Sequence, residues 1–208
     1  VEIENWDEGK IEEIELENHP NHPEMGTRKV KLGKRVYIER SDFAEVPPNK
    51  FFRLKPEGEV RLKSAYIIKC VRWEKHEAGN ITKIICTFDP MSHSGEEARK
   101  VKGTLHWVNA DEAVAAEFRL YDTLMKSESA AADEAEEEEE AVEKDFVENL
   151  NPDSLVVMKG FVEPALKDAP AGEHYQFLRQ GYFCADLTTT PEAPVFNRTV
   201  GLKDSYKA

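Results

Sequence analysis

Three clusters in the sequence set cationic side chains beside aromatic rings and amides. Asn21 precedes Arg28, Lys29 and Lys31. Lys50-Phe51-Phe52-Arg53-Leu54-Lys55 is followed by Val60-Arg61-Leu62-Lys63, and Tyr175-Gln176-Phe177-Leu178-Arg179 is the third. Recognition of unstacked nucleobases needs such a mixture: rings and guanidinium planes stack on bases, amides and guanidinium groups bond base edges, and cations neutralise phosphates. In extended chain Arg61 and Lys63 would project from one face, and so would Gln176 and Leu178. Ordinary strands with a solvated basic face give the same pattern, so the clusters leave both readings open.

Signatures of catalysis are missing. The sequence has no G-x-x-x-x-G-K-[ST] phosphate loop, no G-x-G-x-x-G turn after a strand and no G-x-S-x-G elbow. His19 and His22 have H-x-x-H spacing, but Pro20 and Asn21 between them oppose the helix that would align two ligands. A locally bonded loop is expected there instead of a metal site. His106, beside Trp107, is expected in a strand as a packed or hydrogen-bonded histidine. Cys70, Cys86 and Cys184 are widely spaced, form no C-x-x-C pair and lie in apolar stretches. They read as small buried hydrophobes of a reducing cytoplasm. No catalytic residue, metal or cofactor is therefore expected in this chain.

Composition sets the frame for these residues. Hydrophobic residues make up 40% and charged residues 33%, as in a soluble chain with a core. No apolar run approaches the roughly 18 residues of a membrane span, and VEIENWDEGK has neither the basic nor the apolar region of a signal peptide. The chain begins at Val1; with catalytic motifs missing, it is expected to belong to a longer protein. Its net charge of −13 seems to oppose nucleic-acid binding, but residues 128–148 hold 11 acids against one Lys. The remainder is close to balanced, which leaves room for a local basic face. The run 127–145, rich in Ala and Glu with five consecutive glutamates, is expected to be a mobile acidic insertion.

The elements that must carry the clusters read as β. KRVYIERSDF alternates, with Val36 and Ile38 on one face. VRLKSAYIIKCVRWEK and NITKIICTF flank His76–Asn80, a strand–turn–strand signal. VKGTLHWV, SLVVMKGFV, HYQFLRQGYFCADL and PVFNRTVGL add short strands bounded by Pro, Gly or Asp. KIEEIELENHPNHPEMGTRKVKLG reads as extended chain and then a turn. Helix is expected at Asp111–Phe118, where DEAVAAEF has an acidic first turn, and in a short turn after Ser41-Asp42. The spacing points to barrels or sandwiches.

Eight runs, in order, are similar to the C-terminal region of glutaminyl-tRNA synthetases: NHPNHPEMGTRKV, VYIERSDF, VRLKSAYIIKC, RKVKGTLHWV, RLYDTL, NPDSLVVMKGFVEPALKDA, QFLRQGYFCAD and VFNRTVGLKDS. They cover most of the chain outside the acidic insertion. The resemblance implies an all-β fold of two small antiparallel barrels side by side, each like that of a ribosomal RNA-binding protein. It places 1–44 with 112–208 in one barrel and 45–111 in the other. It implies a partner, the anticodon stem-loop of tRNA(Gln), whose unstacked bases sit in separate pockets. A catalytic domain of the same polypeptide would bind ATP, and the protein would act as a cytoplasmic monomer.

Matched position by position, the resemblance assigns anticodon contacts to Asn21, Arg53, Arg61, Lys63, Gln176 and Arg179. The arginine of the basic run and the V-R-L-[RK] side chains serve the outer bases, and the glutamine serves the middle one. Lys63 stands where the family has arginine and lacks the planar fork, which loosens base readout there. The run Phe51-Phe52-Arg53 has fewer polar side chains than the family's, which favours stacking. A further arginine for the middle base lies upstream in the family, in a segment this chain does not contain. Two alternatives stay open: the related glutamyl-tRNA synthetases, and a free-standing barrel binding structured RNA or protein.

Overall fold

The computed structural model describes residues 1–95, 98–126 and 149–202; the expected acidic insertion lies outside them. Among the described residues the fold is all-β, with helix limited to single 3-10 turns such as Pro23–Met25 and Arg40–Asp42. The short turn expected after Ser41-Asp42 falls earlier, in the second of these, which ends at Asp42. The strands are β1 (Glu2–Ile3), β2 (Glu12–Glu17), β3 (Thr27–Leu32), β4 (Val36–Tyr37), β5 (Glu59–Leu62), β6 (Ile67–Lys75) and β7 (Ile81–Asp89). They continue with β8 (Thr104–Leu105), β9 (Val108–Asn109), β10 (Val114–Tyr121), β11 (Leu155–Val162), β12 (His174–Phe177), β13 (Gly181–Ala185) and β14 (Val195–Val200).

The chain divides into two compact units. The first is Val1–Val114 with Phe161–Ala165. It contains a sheet of order β1-β7-β6-β5-β8 and the two-stranded pairs β2-β3 and β4-β9. The β6–β7 hairpin turns at 76–80, with Gly79 in the left-handed region at φ 82°, as the Gly-Asn signal predicts. VRLKSAYIIKC, however, is two strands joined by a turn, where Ser64 adopts φ 58°. Val36 is buried as expected, and Ile38 packs on the same core.

This grouping differs from the expected one, which put 1–44 with 112–208. Ile3, Ile14, Leu16, Leu32 and Val36 share one core with Leu54, Val60, Leu62 and Ile68. Trp6 sets the arrangement: its ring meets Phe88 at 4.7 Å and Tyr66 at 6.0 Å. Burial of so large an aromatic surface ties the first 44 residues to the segment that holds Tyr66 and Phe88.

The second unit is Ala115–Gly160 with Leu166–Ala208. Its sheet has the order β11-β10-β14-β13-β12. Alternation along the strands turns Phe118, Phe177, Phe183 and Phe196 inward, and their rings form edge-to-face and offset contacts of 4.7–6.0 Å. The helix expected at Asp111–Phe118 is mostly strand: β10 pairs in parallel with β14, Phe118 opposite Phe196. The acids of the supposed first turn instead bind cations, Asp111 with Arg35 and Glu112 with Lys31. Most pairs are antiparallel, as expected, and β1/β7, β5/β8 and β10/β14 are parallel. Each of those pairs is joined by a long connection, as parallel pairing requires.

Candidate nucleic-acid interface

In the first unit, the basic run becomes the wall of a pocket. Phe43 bridges Leu54, and Leu54 N–H donates to the Asp42 carbonyl at 3.0 Å, which ties the run to the 3-10 turn at Arg40–Asp42. Asp42 is fully buried, and its carboxylate lies 3.6 Å from Arg53 Nε. Arg53 Nη1 donates to the Ser41 carbonyl at 3.0 Å and to Ser41 Oγ at 3.2 Å. These bonds orient the guanidinium, yet the side chain stays 39% exposed. An oriented, half-exposed planar fork is suited to a base edge or a phosphate.

The pocket beside it encloses about 480 Å³ between Pro47–Lys55 and Lys102–Gly103. Lys50, Arg53, Lys55 and Lys102 contribute four cations, against one lining acid, Glu59. Arg99 already engages that acid, with Nη1 donating at 2.7 Å, and this hydrogen bond holds the Glu59 carboxyl below its ordinary pKa. Gly103 is needed in the floor: a Cβ there would collide with the Phe52 carbonyl oxygen.

Arg61 is placed differently. Its Nη1 donates to the carbonyls of Ala65 at 2.9 Å and Ser92 at 2.6 Å and to Ser94 Oγ at 3.1 Å, while Nη2 donates to the Arg99 carbonyl at 2.7 Å. Burial first, and then the charge of Arg99, lower its pKa from the ordinary value. A guanidinium so engaged ties Ser92, Ser94 and Arg99 to Ala65. Lys63 lies beyond the end of β5, so the two do not share a strand face. Its backbone N–H donates to Leu105 and its carbonyl accepts from the Trp107 indole at 3.0 Å.

Asn21 is exposed in the turn between β2 and β3, with its backbone N–H donating to His19 Nδ1 at 3.1 Å. The His19 and His22 rings meet edge-on at 4.4 Å, and His22 bonds Glu24 at 2.7 Å, the local bonding expected of this loop. The nearby cations are engaged: Lys29 with Glu13, Lys31 with Glu112, and Arg28 with Glu163. Glu163 accepts from Arg28 Nε at 2.6 Å and Nη2 at 3.0 Å and lies 3.1 Å from His106 Nε2. Burial alone would raise this carboxyl, but the hydrogen bonds and charges of His106 and Arg28 outweigh it and hold the pKa at about 2. His106 is thus hydrogen-bonded, as expected, but it lies between β8 and β9 and not in a strand. Nothing in the sequence near Glu163 signalled this bond across 135 positions.

In the second unit, Gln176 is exposed on β12, directly opposite Tyr182 on β13. Arg179 is exposed at the tip of this hairpin, with φ 63°. Gly181 next to it has φ 133°, and a Cβ would collide with the Val200 carbonyl oxygen. The tight approach of β14 therefore fixes the hairpin that carries both Gln176 and Arg179. Leu178 belongs to the tip and not to the strand face expected for it. Cys70 and Cys86 are buried and face each other across β6–β7, whereas Cys184 is only half-buried.

The described residues form two all-β units, the first with a pocket lined by four cations. Two family models match the chain, over residues 1–89 and 104–186, both described as "tRNA synthetases class I (E and Q), anti-codon binding domain". The chain belongs to this family of anticodon-binding domains. It is similar to the glutamine–tRNA ligase of Aliivibrio salmonicida (strain LFI1238), 50% identical over 210 residues that cover 100% of this chain and 36% of the relative. The enzyme of the same name from Vibrio parahaemolyticus serotype O3:K6 is 50% identical, over 99% of this chain and 36% of its own length. That of Clostridium perfringens (strain ATCC 13124) is 48% identical, with the same coverage. The chain spans about a third of the length of these curated relatives.

Proposed function

We propose that this chain reads the anticodon of tRNA(Gln) for a glutamine–tRNA ligase, whose catalytic domain on the same polypeptide carries out ATP-dependent aminoacylation. The observation that carries this reading is the oriented, half-exposed Arg53 in a pocket with three further cations. Arg53 bonds one outer base and the neighbouring lysines neutralise phosphates. Gln176 bonds the edge of the middle base from its fixed hairpin, beside Arg179. Lys63 and Asn21 contact the loop backbone, while Arg61 acts by holding Ser92, Ser94 and Arg99. The protein works as a cytoplasmic monomer.

Titration of fluorescent anticodon stem-loops at fixed salt tests this. The glutamine loop is expected to bind more tightly than the glutamate loop and a non-cognate loop. Arg53→Ala and Gln176→Ala are each expected to weaken binding by about 1–3 kcal/mol, the loss of one base-edge contact. A preference for the glutamate loop contradicts the assignment.

A further inference from the structure

Phe52 is an anomaly on physical grounds. Its ring is 51% exposed, which leaves much apolar surface in water, and it lines a pocket of about 480 Å³ that also holds four cations. An exposed ring among cations fits a ligand with one flat face and one negative group. Lys102 Nζ stands 5.2 Å from the Phe52 ring centroid, within cation–π range. The ring thus attracts an ammonium that is itself exposed to solvent and open to a ligand. Pro47 and Pro48, with their fixed φ, also line the pocket. Gly103 lets the Phe52 backbone approach closely, which fixes the chain that carries the ring.

We infer that Phe52 is the stacking platform for one unpaired anticodon nucleotide, and that Lys102, beside the ring, takes the phosphate of that nucleotide. Phe51, its neighbour, is less exposed and makes the pocket wall. Neither Phe52 nor Lys102 is among the base contacts that the family resemblance assigns. The inference rests on the reading of the chain as an anticodon-binding module, and it adds sequence-tolerant stacking to the edge contact of Arg53.

The test uses three glutamine stem-loops, each carrying 2-aminopurine at a different anticodon position, with binding followed separately by polarisation. With the wild-type chain, emission is expected to fall on binding for one of the three loops. Phe52→Tyr should preserve that quench. Phe52→Leu should abolish it and weaken binding roughly 5- to 150-fold, the loss of one base–aromatic stack. Lys102→Met should flatten the dependence of log K on log salt by about 0.7–0.9, one phosphate's share. If the wild-type chain binds but the quench persists in Phe52→Leu, the inference is overturned and the anticodon reading stands. If the wild-type chain binds none of the loops, both fall.

Discussion

Arg53 and Arg61 lie close in sequence, yet their guanidinium groups meet opposite fates. Arg53 bonds one turn and keeps 39% of its side chain in solvent; Arg61 is held by three carbonyls and a hydroxyl. Arg61→Ala is therefore expected to cost about 2–4 kcal/mol of stability, since buried carbonyls lose charged donors. Thermal denaturation reads this as a lowered Tm; Arg53→Ala, which removes the guanidinium 3.6 Å from the buried Asp42 carboxylate, should lower Tm as well and in addition weaken RNA binding. Glu163 gives a prediction in pH. Its folded pKa, about 2, lies below the ordinary 4.5. The stability it contributes is thus fully present above about pH 4.5 and is lost as pH falls toward 2. Urea denaturation between pH 7 and pH 2 should show Glu163→Gln less stable at pH 7 by about 3 kcal/mol. The gap should close at the acid end.

At the scale of elements, alternation and turn residues made much of the β structure legible. Val36 and Ile38 turn to the core as their spacing implies, and the 76–80 turn follows from Gly79. The Asp111–Phe118 stretch misled because its local composition suits a helix, while its conformation is set by β14, far along the chain. The candidate site was legible in part. Residue types placed Arg53, Gln176 and Arg179 among the RNA-contacting candidates, but the bonds that engage Arg61 come from a loop some 30 residues away. Glycines supply the test at this scale. Gly103→Ala forces backbone against backbone at Phe52 and should destabilise the fold by about 1–3 kcal/mol. It should also weaken stem-loop binding more than Lys55→Ala does, as polarisation titrations would show.

For the whole molecule, the charge of −13 is concentrated where no base contact is proposed. Deleting 128–143 removes nine acidic side chains and no cation. None of the proposed contacts lies in that segment. The deletion should therefore leave the Kd for the stem-loop unchanged at 0.15 M salt, to within about twofold. A large loss of affinity would assign those residues a direct part in binding. The most direct test of the central claim is one titration of this chain, at fixed salt, with the anticodon stem-loops for glutamine and glutamate and a non-cognate loop. The account predicts tightest binding to the glutamine loop, weakened by both Arg53→Ala and Gln176→Ala. Equal affinity for all three loops, with both variants unchanged, would contradict it.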